Sequence, residues 1–441
     1  MSITDRSTGD GRNLMADARL ASKSFDIPKQ IVVEAYLKVQ ANKGAAGVDR
    51  QSLADFAQDE KNNLYKIWNR MSSGTYFPAP LRVVEIPKSD GKGVRTLGVP
   101  TVTDRIAQTV VAMLLEPEVE KIFHPDSYGY RPGRSALDAV GVARKRCWKQ
   151  SWVLDMDIQG FFDNVPHEPI LKAVAHHTQE KWILLYVGRW LTAPIQRPDG
   201  SLVVPERGTP QGSAISPLLS NMFMHYAFDA WMDRTHLGVP FERYCDDIIV
   251  HCVSQTQARS LWESIAQRLA EFGLTLHPDK TRIVYCYQKG RPRKPDESGE
   301  FTFLGYTFRP RKVLAKDGTG QTGFLPAVSN QAKRHMGADI RAWRIGRRTD
   351  LSFKELAIMI NQKVAGWITY YGRFYKSELS NFLGQRLNEI LVRWACRKYK
   401  HLRRHKRQAR IQLANIAQND RRWFAHWKFG ALPTGSTMGA V

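Results

Sequence analysis

The chain has 441 residues, 43% of them apolar and 24% charged, and its 65 Lys and Arg against 42 Asp and Glu leave a net charge of +23 and a pI near 9.9. This is globular rather than disordered composition, and no run approaches the roughly 18 to 20 uninterrupted apolar residues of a bilayer span, so no membrane partner is expected. Self-repulsion at such a charge costs stability, which makes an anionic polymer the expected partner.

Residues 1–28 are polar and contain Gly, Asp and Ser, and they read as a flexible lead-in. They hold no apolar signal-peptide core, so a cytoplasmic protein is expected, nucleoid-associated when on DNA. Cys147, Cys245, Cys252, Cys286 and Cys396 are scattered with no Cys-x-x-Cys pair, which argues against a zinc site and a disulfide framework.

From Ile31 to about Gln288, apolar segments alternate between period two and period 3.6, predicting an α+β body. The first acidic element is WVLDMDIQGFFDNVPHEPI, Trp152 to Ile170. As a strand it places Trp152, Leu154 and Met156 on one face and Val153, Asp155 and Asp157 on the other. The second is RYCDDIIVHC, Arg243 to Cys252, where Asp246 and Asp247 interrupt two β-prone flanks. A tight hairpin with the Asp pair at its bend would aim both the same way. Three carboxylates brought together are unfavourable unless divalent cations sit among them, and hard oxygen donors suit magnesium.

Further on, QKGRPRKPDESGE (288–300) predicts a charged loop, and FTFLGYTFRP a short hairpin. After about Asn330 the pattern turns helical. Ser352 and Glu355 form a capping-box signature, followed by Leu356, Ile360, Val364, Trp367 and Tyr371 on one face. A second predicted helix carries Leu379, Phe382, Leu387, Ile390 and Trp394 and runs into RKYKHLRRHKRQAR, the densest basic run.

Together these segments resemble the motifs of reverse transcriptases, in order along residues 30–430. Tyr244-Cys245-Asp246-Asp247 is similar to the family's Tyr-x-Asp-Asp box. RGTPQGSAISP (207–217) looks like the motif before the palm helix, whose buried face would be Ile215, Leu218, Leu219, Met222 and Tyr226. IPKSDGKGVRTLGVPTVTDRIAQ and DSYGYRPGRSALDAV resemble the fingers segments. FGLTLHPDKT and FTFLGYTF fill the remaining palm positions, and NKGAAGVDRQSL resembles the N-terminal motif of group II-type enzymes. GWITYYGRFYKSEL with VRWACRKYKHLRR is similar to the thumb, or maturase domain X, of group II intron proteins.

The resemblance implies a right-hand polymerase of α+β class, with a ferredoxin-like palm, fingers and an α-helical thumb. Residues 1–28 would be the lead, 29–328 fingers and palm, 329–400 thumb and maturase domain X, and 401–441 a basic nucleic-acid-binding tail. It implies catalysis by Asp157, Asp246 and Asp247, with two Mg²⁺ (Mn²⁺ a possible substitute) at Asp157, Ile158, Asp246 and Asp247. Asp157 is chosen over Asp155 because an aromatic residue, Phe162, follows it by five positions, as in the family. Nucleotide binding falls to Lys88, Arg95, Ile158, Phe162, Gln211 and Lys280, and the primer grip to Gly305 and Tyr306. Arg397, Lys398, Arg403, Arg404, Lys406, Arg407 and Arg410 would bind nucleic acid.

The implied partners are RNA template, DNA primer, dNTPs, group II intron RNA and target DNA. The implied activity is RNA-directed DNA synthesis, coupled to intron splicing and retromobility. A host-adopted enzyme of DNA repair or phage defence would share every catalytic residue, whereas a splicing-only RNA chaperone would not need them. Cys245 stands where Ala is usual and Gln159 where Lys is common. No Cys-pair or His-rich endonuclease module follows FAHWKFGALP, so target-strand cleavage is not expected.

Overall fold

The structure, a computed structural model, describes residues 24–87, 93–292, 299–314 and 318–434. In chain order the strands are β1 (Leu81–Pro87), β2 (Val94–Val99), β3 (Trp152–Asp157), β4 (Ile195–Gln196), β5 (Leu202–Val203), β6 (Phe241–Tyr244), β7 (Asp247–Cys252), β8 (Arg282–Tyr285), β9 (Phe301–Phe303), β10 (Tyr306–Leu314) and β11 (Gly320–Val328). The chain forms two compact units. One comprises Met1–Pro132, Asp157–Gly238 and Glu263–His277, the other Gly133–Met156, Val239–Trp262 and Pro278–Val441. No helix among the described residues is long and apolar enough to cross a membrane.

In the first unit the chain is anchored from Phe25 onward, inside the expected lead-in. The Phe25 amide donates to the Ser72 carbonyl, and the Trp68 indole N–H donates to the carbonyl of buried Ile27 at 2.7 Å. A sheet of order β2-β1-β4-β5 carries the β1–β2 hairpin. The helix Val102–Glu120 begins at Thr101, whose hydroxyl caps the Asp104 amide. Of the five residues expected on the palm helix's buried face, Ile215, Leu219 and Met222 are buried, and Leu218 and Tyr226 are partly exposed. For Tyr226 the reason lies in the helix, because its α-helical part (Ser216–Met224), which contains Leu218, gives way to a π-helical turn at His225–Asp229. One extra residue in that turn rotates the stripe off register.

In the second unit a four-stranded sheet has the order β6-β7-β3-β8. Strand β3 is buried on both faces rather than alternating, as are β7 and the edge strand β6, so the sheet is covered on both faces. A second sheet, β11-β10-β9, contains the expected hairpin, with Leu304 and Gly305 both at positive φ in its two-residue loop.

The C-terminal helices share one apolar cluster. The capping box at Ser352 and Glu355 forms as expected, and Leu356, Ile360 and Val364 are fully buried. The second expected helix is broken by another π-helical turn, Gly384–Asn388, between Lys376–Leu383 and Glu389–Lys398. Packing continues through the boundary expected at residue 400. Leu402, Ala409 and Leu413 belong to the same cluster as Leu356 and Trp394, and so do Phe424 and Trp427.

The π-turn has a structural use. It turns Asn388 inward, where its Nδ2 donates to the Ala431 carbonyl and its Oδ1 accepts from Trp427 Nε1 at 2.8 Å and His426 Nε2 at 2.9 Å. The His426 proton must then lie on Nε2, which leaves buried Nδ1 without a partner, and burial holds the ring's pKa down to about 3. Replacing Asn388 by Ala strands two buried donors and a carbonyl. We expect a loss of about 3 kcal/mol in urea unfolding at neutral pH, since each such group costs ~1–3 kcal/mol. Because the folded pKa of His426 lies below its unfolded value, its contribution is full above ~6.5 and falls as the pH drops toward 3. Unfolding at pH 5 should therefore show lower stability than at pH 7, and His426→Phe should reduce that difference. Equal stability of Asn388→Ala and the parent chain would refute the lock.

Candidate active site and nucleic-acid interface

The Tyr244–Asp247 segment is a two-residue hairpin. Tyr244 pairs with Asp247, and Cys245 and Asp246 form the loop. Cys245 alone of the two loop residues has positive φ, +62°, at the position where this hairpin type favours glycine. A small side chain is thus required there for backbone as well as packing reasons. Cys245 is buried, and burial pushes its thiol pKa far up, so it is inert rather than nucleophilic.

Behind the turn lies a buried polar clamp. Glu242, fully buried, receives Arg146 Nη1 at 2.7 Å on one oxygen and His251 Nε2 at 2.6 Å on the other. Arg146 also donates to the Phe241 carbonyl, which ties the helix Ala136–Lys149 to β6. Arg243, also fully buried, donates to the Cys245 carbonyl. Sequence reasoning missed these residues. The available signal was a Glu-Arg pair inside an otherwise apolar strand.

The strand beside β7 is β3, which ends at Asp157. Asp155, two residues earlier, is buried and paired with Arg282 at 3.1 Å across the β3–β8 ladder, which commits it to the sheet. The Asp157 carbonyl accepts from the His277 amide at 2.7 Å, Ile158 bridges to Leu276, and the Gln159 amide donates to Thr275. Gly160, at φ +55°, then starts the short helix Phe161–Asn164.

Half-buried Phe162 is edge-on to Phe161, and its carbonyl accepts from Thr209 at 2.7 Å. That contact seats the loop bearing Gln211. Gly208 lies so close to Phe162 that a Cβ would meet its carbonyl at 2.7 Å. Gln211 itself accepts through its carbonyl from the Gly98 amide at 2.8 Å, and Gln108 Oε1 takes Ser213 Oγ and the Ala214 amide, both at 2.9 Å. Arg95 is exposed on β2, opposite Ile86. Lys88 lies outside the described residues.

Lys280 is exposed in the turn before β8. Gly305 occupies the β9–β10 turn, and buried Tyr306 donates through its hydroxyl to the Tyr370 carbonyl. Tyr370 Oη returns a bond to Leu304 at 2.9 Å. Burial pushes the Tyr370 hydroxyl up to about 12, with Tyr371, Tyr244 and Asp247 adding in the same sense. The hairpin, the end of the helix Phe353–Tyr371 and Asp247 thus feel one another electrostatically.

The basic run divides into two kinds of residue. Arg397 donates to the Gly346 carbonyl, Lys398 to Thr349 and Leu351, and Arg410 pairs with Glu389 at 2.7 Å. Arg403, Arg404, Lys406 and Arg407 are exposed. A larger basic feature escaped the sequence reading. Arg334, Arg341, Arg344, Arg347, Arg386 and Arg393, all exposed, line two depressions of about 340 and 400 Å³ that share Arg341, and no acid lines either. These arginines come from separate helices and loops, so no local motif announces them.

Among the described residues, no three His, Cys, Asp or Glu side chains are grouped as a ready-made metal cage. Magnesium is usually held by one or two carboxylates with waters and substrate phosphates, and the adjacent Asp246 and Asp247 offer donors of that type.

A reverse transcriptase (RNA-dependent DNA polymerase) family model matches residues 86–308, and a group II intron maturase-specific domain model matches residues 333–411. The group II intron-encoded protein LtrA of Lactococcus lactis subsp. cremoris is 27% identical over 297 residues, covering 67% of this chain and 48% of LtrA. Protein YkfC of Escherichia coli (strain K12) is 28% identical over 318 residues, covering 63% of this chain and 78% of YkfC. A putative COX1/OXI3 intron 1 protein of Saccharomyces cerevisiae is 32% identical over 177 residues, covering 40% of this chain and 21% of that protein. The matched region spans about half the length of LtrA. The mixed helix-and-strand body with its helical C-terminal region fits the right-hand fold of the matched family. The chain belongs to the reverse transcriptase family and carries a group II intron maturase-specific domain.

Proposed function

We propose that this chain is an RNA-directed DNA polymerase that synthesises cDNA by nucleotidyl transfer, and that it also binds group II intron RNA to promote splicing and retromobility. The observation that carries the reading is the hairpin presenting Asp246 and Asp247 at the start of β7, next to the strand ending in Asp157. On this reading residues 29–328 act as fingers and palm, and 329–400 as thumb. Template RNA, a DNA primer, dNTPs and target DNA are the partners.

Asp157, Asp246 and Asp247 would hold two Mg²⁺, or Mn²⁺ in substitution, and Ile158 can contribute only its backbone. When bound, such ions supply charge stabilisation to the attacking and leaving oxygens of an in-line phosphoryl displacement. The protein's own groups do the positioning. Lys88 and Arg95 contact the triphosphate through charge-assisted hydrogen bonds, and Lys280 supplies a proton toward the departing pyrophosphate. The Phe162 ring leaves no room for a 2′-hydroxyl, and the pinned loop presents Gln211 to the incoming nucleotide and template. Gly305 and Tyr306 hold the primer strand. The arginine-lined depressions, with Arg403, Arg404, Lys406 and Arg407, track phosphates. The maturase-specific match over residues 333–411 supports the splicing role.

Primer extension on an RNA template with Mg²⁺, run beside in vitro splicing of a group II intron, tests the reading. Asp246→Ala should lower cDNA synthesis by at least ~100-fold, since losing a metal ligand raises the barrier by about 3 kcal/mol or more. RNA affinity and splicing should stay near the parent values. Full-length cDNA at the parent rate would remove Asp246 from the site. Phe162→Val should raise the ratio of ribonucleotide to deoxyribonucleotide incorporation. An unchanged ratio with activity retained would make Phe162 a packing residue.

A further inference from the structure

The maturase-specific region contains a cleft that the reading above does not use. It opens between the helices Phe353–Tyr371, Glu389–Lys398 and Lys406–Asn419, with a volume of about 320 Å³. Trp394, Leu402 and Leu413 form a buried floor, and Phe353, Tyr399 and Trp423 form the walls. Tyr399 stands edge-on to Trp394 at 5.8 Å, and Trp423 edge-on to Phe353 at 5.3 Å. Three large apolar side chains at the cleft remain open to solvent, with Tyr399 39%, Ile416 38% and Trp423 36% exposed. A folded chain gains by covering such rings, so their exposure beside a basic segment needs an occupant.

The chemistry of the cleft narrows that occupant. Gln412 is the one amide among the lining residues, and it offers a donor and an acceptor within an otherwise aromatic and aliphatic wall. The charged residues that directly adjoin a lining residue in sequence are all basic, and of these Lys400 and Arg403 are exposed, whereas Lys398 donates to the Thr349 and Leu351 carbonyls and Arg422 pairs with Asp420. The Lys398 ammonium lies 5.8 Å from the Trp394 ring. A second copy of this chain would bring the same positive rim against itself. An apolar peptide or acyl chain would cover the rings but leave Gln412 and the cations unanswered. A nucleobase answers all three, because it has a face for stacking, an edge for the amide and a phosphate on either side.

We propose that this cleft takes one unstacked base of a single-stranded RNA. The inference rests on the RNA-binding reading above and deepens it. Trp423 and Tyr399 grip the base, Gln412 reads its edge, and the basic rim holds the flanking phosphates. Duplex RNA, whose bases are stacked and paired, does not enter.

The test uses the full chain and three probes: a short single-stranded RNA with one central 2-aminopurine, the same strand with an abasic residue there, and a duplex of equal length. Affinity and 2-aminopurine fluorescence are measured at two salt concentrations for the parent, Trp423→Ala and Gln412→Leu. The parent should bind the intact strand about tenfold more tightly than the abasic one, the scale of a single base–aromatic stack. Both variants should lose that preference while keeping the parent's salt dependence. Trp423 and Gln412 are partly exposed, so the fold should tolerate both changes. Equal binding of intact and abasic strands by the parent, a preference kept in both variants, or preferred binding of the duplex would overturn the base cleft alone. Failure to bind any of the three probes would overturn the RNA-binding reading with it.

Discussion

Two neighbouring carboxylates, one in a two-residue turn and one at the start of the next strand, repel each other, and a turn is also the part of a sheet freest to move. The palm holds this pair in place through buried polar contacts rather than through apolar packing alone. Glu242 fastens β6 to Arg146 and His251, and Arg243 holds the carbonyl of Cys245. Each partner is buried or nearly so, where an unpaired charge would be costly, and the clamp therefore has one low-energy arrangement. The positive φ of Cys245 follows from the same constraint, because the strands can pair through Tyr244 and Asp247 only if the first loop residue turns that way. The Tyr306–Tyr370 contact extends the order outward, since it locks the β9–β10 hairpin to a helix end whose hydroxyl feels Asp247.

Charge in the C-terminal region is organised differently. A net charge of +23 invites the view that every Lys and Arg waits for a phosphate. Several also serve the fold, since Arg397 and Lys398 donate to carbonyls of the preceding segment and Arg410 is paired to Glu389. Two concentrations of exposed charge stand out, the stretch from Arg403 to Arg407 and the arginine-lined depressions around Arg341. The Asn388 lock, with His426 and Trp427, brings the residues after 420 into the same core that displays both surfaces.

Much of this was legible in the sequence because the signals are local. Ser352 with Glu355 is readable as a helix start from three-residue spacing, and the β9–β10 hairpin from Leu-Gly between aromatic runs. The family was legible from motif order. What stayed hidden depends on side chains meeting from distant segments or on irregular helix geometry. No residue type announces a π-turn, so the stripe predicted through Tyr226 drifted off the buried face. The Glu242 clamp joins residues about a hundred positions apart. Arg341 and Arg393 line one depression only because two helices pack. For the candidate site, the hairpin around Asp246 was readable, whereas the committed role of Asp155 needed its ion pair with Arg282.

The central claim is that Asp157, Asp246 and Asp247 act on shared metal ions. Localised hydroxyl-radical cleavage from Fe²⁺ bound in place of Mg²⁺ tests it most directly, because only backbone near the ion is cut. The account predicts cuts in two separate segments, around Asp157 and around Asp246, both suppressed by excess Mg²⁺ and both lost together in Asp246→Ala. Cuts confined to one segment, or persisting unchanged in that variant, would contradict it.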